Sequence, residues 1–151
     1  MHEMKPRLNY FKAAPALFQA QLALNKAVED SGLDRGLLHL IKVRASQING
    51  CAYCLDMHTQ EARADGETEQ RLHVISAWRE SPAFSAGERA ALAWTEAVTL
   101  ISNGPIPDSL YDEVRAQFSE ADLVALTMAI TVINSWNRFA VSFRAVHKIR
   151  D

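Results

Sequence analysis

An all-α fold is the class this sequence predicts, and three observations predict it. Apolar residues recur at three- and four-residue intervals through nearly every segment. No run alternates β-branched and polar residues between turn clusters, so strand signals are missing. Helix start and stop signals punctuate the chain: a serine followed three residues later by an acid, or a glycine after the last periodic residue.

Taken in order, the first helix is expected from about Pro15 to Asp30, with Leu17, Leu22, Leu24 and Val28 near one face and Gly32 ending it. The second spans about Asp34 to Ile48. Its Leu37, Leu38, Leu40, Ile41, Val43 and Ile48 form a wide apolar face, and Asn49-Gly50 interrupts it. A third begins near Cys51 and runs to about Ala64, before Asp65-Gly66. The fourth covers about Thr68 to Arg79, and Ser81-Pro82 breaks the chain after it. Ser85 and Glu88 form a capping box that opens a fifth helix, which runs to about Ile101. Asn103-Gly104-Pro105 closes it, and Pro107-Asp108 starts a short sixth. Ser119 with Asp122 leads into a long last segment toward His147. Seven or so helices with short loops, no linker and no fixed-period repeat predict one compact domain over residues 1–151.

Composition narrows the function. At 48% apolar residues the chain can build a core, and a domain of this length buries ~70% of its unfolded surface, so no disulfide is needed to hold it together. The formal charge of −2 comes with no basic stripe, which argues against nucleic acid as a partner. No segment approaches the ~18 uninterrupted apolar residues of a membrane span, and Met1-His2-Glu3-Met4-Lys5-Pro6-Arg7 is not followed by an apolar stretch. The expectation is a cytoplasmic protein with no membrane contact. In that compartment a Cys-x-x-Cys is more often catalytic or metal-binding than structural.

Both cysteines of the chain lie in Cys51-Ala52-Tyr53-Cys54-Leu55-Asp56-Met57-His58. On a helix Cys51, Cys54 and His58 share one face, and residues three or four apart have Cβ atoms ~5–6 Å apart. The thiols are therefore close enough to form a disulfide, and His58 lies one turn beyond Cys54. A helix start favours negative charge and hence a thiolate, and an imidazole can take the thiol proton. One sulfur can then attack a peroxide or a disulfide, and the other can resolve the product. Zinc binding competes with this reading, because Cys51, Cys54 and His58 are all zinc ligands and His2, His39, His73, His147 or a carboxylate could add a fourth. Simple packing is the third reading. A structural disulfide is the weakest, since the loop it would close is very short. Trp78, Trp94, Trp136, Met57 and Met128 are read as core or subunit-contact residues. Asn134, Asn137 and Arg138 either line a pocket, bond across a subunit contact or form a solvated stripe.

The string Arg44-Ala45-Ser46-Gln47-Ile48-Asn49-Gly50-Cys51-Ala52-Tyr53-Cys54-Leu55-Asp56-Met57-His58 closely resembles the signature of the alkylhydroperoxidase AhpD-like proteins of the carboxymuconolactone decarboxylase superfamily. Tyr10 to Pro15, Phe84 to Trp94 and Asn134 to Arg138 resemble it too, so the likeness covers almost the whole chain. The resemblance implies an all-α fold, trimers or hexamers, and a thiol peroxidase or disulfide-exchange role. It implies Cys54 as the peroxide-attacking cysteine, Cys51 as its resolving partner and His58 as the base. The family commonly carries a glutamate twelve residues before the first cysteine, where this chain has His39. An imidazole there can pass protons through water but supplies no fixed negative charge.

The expected function is reduction of a hydroperoxide substrate by Cys54, Cys51 and His58, with His39 in the relay. No metal and no organic cofactor is called for, and an external dithiol or disulfide reductase restores the thiols. A homo-oligomer, trimer or hexamer, is expected from the wide apolar faces at Leu37 to Val43 and Leu123 to Ile133. The alternatives are a disulfide oxidoreductase without peroxidase turnover and a redox-sensing or metal-binding helical oligomer. Decarboxylation of a lactone acid is a further class, and it does not need a Cys-x-x-Cys.

Overall fold

The computed structural model describes residues 2–151, and every regular element among them is helical. The α-helices are α1 (Tyr10–Ala13), α2 (Pro15–Glu29), α3 (Arg35–Asn49), α4 (Ala52–Ala64), α5 (Glu69–Val74), α6 (Ala86–Thr99), α7 (Asp108–Gln117) and α8 (Glu120–Ser142). Short 3-10 turns occupy Ile75–Glu80 and Ile101–Asn103. Among the described residues no single helix is long and apolar enough to cross a membrane.

Helix α3 is the axis of the fold, packed by α4, α6 and α8. Leu37, Ile41 and Ala45 face one core with Ala91, Trp94, Leu126, Ile130 and Ile133 of α6 and α8. Leu40 and Val43 face another with Ala62, Leu72, Ile75, Trp78 and Leu92. Leu38 joins Val28, Ala129 and Val132 in a third. A helix apolar nearly all round is a buried helix. This chain's own helices therefore cover the Leu37 to Val43 face that predicted a subunit contact. On α8, Val124 and Met128 stay exposed.

Several boundaries differ from expectation. Asn9 caps a single turn, α1, by accepting the Lys12 amide at 3.0 Å, a helix too short to leave a periodic signal. On α2, Val28 is buried as expected, but Leu17, Leu22 and Leu24 are exposed and Phe18 is buried in their place. Phe18 sits in an aromatic cluster, its ring 4.7 Å edge-on from Phe139 and 5.0 Å from Tyr10. The expected Thr68–Arg79 helix changes to 3-10 geometry at Ile75, which places Ile75 and Trp78 together in the core. Arg89 of α6 donates to the carbonyls of Trp78, Arg79 and Ser81, satisfying acceptors that a continuous helix would have used. Helix α8 stops at Ser142, before the expected His147. Arg144 adopts φ 55° there, and the Ala145 amide returns to the Ala140 carbonyl at 2.8 Å. That geometry ends helices at glycine far more often than at arginine.

Two carboxylates tie the α5 and 3-10 region to α6. Glu88 accepts from Arg71 and Glu96 from Arg79 and from the Trp78 indole. Burial works against each charge, yet these bonds hold both pKa values below the usual carboxylate range. A group with a depressed folded pKa stabilises above its unfolded pKa, and that contribution is lost as pH falls through the folded value. Stability is therefore expected to be flat near neutrality and to decline below about pH 4.3, with Glu96→Gln flattening the decline. Urea midpoints measured against pH check this.

Candidate thiol site

The site is built at the junction of α3 and α4. Gly50 lies in the left-handed region (φ 65°, ψ 35°), where a β-carbon would have open space but a strained backbone. The Gly50 amide donates to Gln47 O and the Cys51 amide to Ser46 O, the two bonds of a Schellman closure. The chain then reverses at Cys51, whose extended backbone makes it the N-cap of α4. A buried polar bolt holds this turn. Asn49 donates to Asn134 and Asn137 of α8, Asn137 donates to Ser46 at 3.0 Å, and Asn134 donates to Thr99 of α6. Arg138 donates to Asn134 at 2.8 Å. The polar stripe of α8 thus binds helices of this chain together and positions the cysteines.

Cys51 and Cys54 form a disulfide, with Cα atoms 5.3 Å apart. Both are buried, at 1% and 2% exposure. The Cys54 amide donates to the Cys51 sulfur at 3.2 Å, so the helix start serves Cys51. Replacing a capping acceptor by alanine costs ~1 kcal/mol, whereas a serine hydroxyl preserves the contact. Reduced Cys51→Ala is therefore expected to be less stable than reduced Cys51→Ser by ~1 kcal/mol. Equal urea stabilities would remove the capping role.

Cys54 opens onto a cavity of about 310 Å3, and Cys51 is not among its walls. Tyr10, Phe11, Val28, Val132, Ile133 and Trp136 supply an apolar lining from α1, α2 and α8. Met57 and His58 share it with Cys54, and Glu29, Lys42 and Glu61 form a charged portion. Burial, and after it the neighbouring Tyr53, hold the Tyr10 phenol above its ordinary pKa, so it stays a neutral donor. The structure therefore gathers Cys51, Cys54 and His58 on the first two turns of α4.

His58 is buried and its Nδ1 lies 3.0 Å from Oε2 of Glu61, a residue that sequence reasoning passed over. The signal was present: Glu61 stands three residues after His58, a spacing at which helical side chains meet. His39 lies elsewhere. Its Nε2 is 2.6 Å from Asp65 Oδ2, which Arg35 also contacts, and it lines a second cleft of about 220 Å3. His39, expected in the relay, is not among the walls of the thiol cavity: Asp65, the C-cap of α4, holds its imidazole in the neighbouring cleft. The His39 bond, and then Arg35, keep the Asp65 carboxyl below its usual range. Among the described residues no three His, Cys, Asp or Glu side chains converge as a metal site.

Comparison with known proteins agrees with this fold. The uncharacterized protein YdfG of Bacillus subtilis is 42% identical over 92% of this chain and 95% of its own length. A solved protein of unknown function from Agrobacterium tumefaciens, described as a candidate antioxidant-defence AhpD, is 49% identical. It superposes with a TM-score of 0.94, covering 97% of this chain and all of the other. A peroxidase-related protein from Ralstonia eutropha with an AhpD core shares the fold at 20% identity and a TM-score of 0.79, over 91% of this chain and 74% of its own. The profile of the carboxymuconolactone decarboxylase family matches residues 15–97, the stretch that holds α2 to α4, the thiol pair and most of α6. With that match and an AhpD-like helical fold, the chain belongs to the carboxymuconolactone decarboxylase family.

Proposed function

We propose that this chain is a thiol-dependent peroxidase that reduces an organic hydroperoxide at Cys54. The observation that carries the reading is that Cys54 and His58 line one apolar cavity, with Cys51 disulfide-bonded behind them. A cavity of this size and lining takes a small apolar molecule.

His58 takes the Cys54 proton and leaves a thiolate, the reactive form of the residue. The sulfur attacks one peroxide oxygen, the O–O bond breaks, and the alkoxide leaves as an alcohol after protonation. Cys54 is then a sulfenic acid. The Cys51 sulfur displaces its hydroxyl as water, giving the Cys51–Cys54 disulfide. An external dithiol returns the two electrons through a mixed disulfide. Cys54, which reaches the cavity, is the sulfur that such a reductant meets first.

The test is consumption of an alkyl hydroperoxide by the reduced protein with a dithiol as electron donor. Intact mass should fall by two hydrogens, with both thiols blocked to alkylation. Disulfide exchange with a small disulfide, and no peroxide consumption, would move the assignment to a disulfide oxidoreductase.

A further inference from the structure

His58 is buried, yet only one of its ring nitrogens has a partner. Nδ1 meets Glu61, and Nε2 has no hydrogen-bond partner among the described residues. An ionised carboxylate has no proton to give, so the shared proton sits on Nδ1 and Nε2 keeps the lone pair. Glu61 is ionised at neutral pH. The His58 bond outweighs the opposing effect of burial, and the charges of His58, Lys42 and His39 add to it, so the carboxyl lies below its usual range.

The placement of Glu61 is the second observation. It lines both the thiol cavity and the cleft that holds His39. Glu29 of α2 and Lys42 of α3 line both spaces as well, so three charged side chains from three helices divide them. Lys42 is drawn toward Glu29 at 3.5 Å, which leaves His58 as the hydrogen-bonded partner of Glu61.

We propose that Glu61 is the positioning residue of the thiol site: it fixes the His58 tautomer that leaves Nε2 as the base, and its charge stabilises the imidazolium formed when His58 takes the Cys54 proton. Its part in turnover rests on the peroxidase reading above; its effect on the thiol does not. The balance is simple. The Cys54 S–H proton passes to Nε2, thiolate and imidazolium result, and the Nδ1 proton stays bonded to Glu61. No electrons move in this step. The titratable and charged groups that face Glu61 or share its cleft are His58 on its own helix, Arg35, His39 and Lys42 on α3 and Glu29 on α2. Tyr10 of α1 and Tyr53 of α4 join them around His58 in the cavity.

Reduced wild type, Glu61→Gln and Glu61→Ala distinguish this from a surface contact. Two quantities are read: the rate at which iodoacetamide alkylates Cys54 across about pH 5 to 9, followed by peptide mass spectrometry, and the His58 tautomer by nitrogen NMR. Loss of a charge this close shifts the ionisation of its neighbours by about one to three pH units, so alkylation near neutrality should slow about tenfold or more in both variants. The glutamine carbonyl still accepts the Nδ1 proton, so that variant keeps the tautomer, whereas alanine lets the two forms mix. Glu61 is half-exposed, and the near-isosteric glutamine is expected to leave the melting temperature in place. Alkylation profiles that superimpose on wild type, or an unmixed Nδ1–H tautomer in Glu61→Ala, overturn the proposal. A shifted profile in a protein that never consumes peroxide upholds Glu61 and defeats the peroxidase reading alone.

Discussion

Cys54→Ser is expected to abolish peroxide consumption, whereas Cys51→Ser is expected to complete one oxidation and stop with a sulfenic acid on Cys54. The two sulfurs differ in access and in neighbours. Cys54 lines the cavity and precedes His58 by one turn, while Cys51 is enclosed and takes the Cys54 amide in the first turn of α4. A serine at position 54 removes the nucleophile, and no other thiol remains to replace it on that wall. With Cys51 gone, the oxidised Cys54 has no resolving partner. A dimedone-type reagent followed by peptide mass spectrometry reads the outcome. An adduct on Cys51 in the Cys54→Ser protein, with none on Cys54 in the converse variant, reverses the roles.

The second large effect is expected at His58. General-base assistance is worth ~10²–10⁴-fold in rate, so His58→Ala should lower kcat/KM for peroxide by that order. The same variant should slow alkylation of Cys54 near neutrality, which separates loss of the base from loss of peroxide binding. His58 is buried, but it already borders an open cavity, and its removal widens that space without breaking into either main core. A modest change in melting temperature is therefore expected beside the large kinetic loss. Alkylation rates that match wild type at every pH remove His58 from thiol activation.

What the sequence made legible was local. The Ser85–Glu88 capping box is formed with both of its bonds, and Asn49-Gly50 separates α3 from α4 as its turn chemistry requires. The thiol pair and His58 fall on one helix because their spacing is a helical period. What stayed hidden depended on distant partners. Asn134 and Asn137 read as an unexplained polar stripe until Asn49, Ser46 and Thr99, 35 to 91 residues away, met them. The buried side of α2 was misjudged because Phe18 answers to rings on α1 and α8, which no local pattern encodes. His39 fell outside the thiol cavity because Asp65 captured its imidazole, a pairing across 26 residues. Glu61 was within reach of the helical pattern around His58.

The double duty of Cys51 has a consequence for the whole redox cycle. Its sulfur terminates α4 through the Cys54 amide and also supplies half of the disulfide, so the covalent bond forms between atoms that the helix start has already brought together. The bolt to α8 fixes the chain just upstream. In the proposed cycle, oxidation and reduction are therefore expected to act inside a frame that does not have to be rebuilt at each turn. Amide hydrogen exchange in the first turns of α4 is expected to change little between the two states, unlike a protein whose thiols sit on separate elements and must be carried toward one another. The motion in the proposed cycle is then expected in what enters and leaves the cavity, with the scaffold at rest.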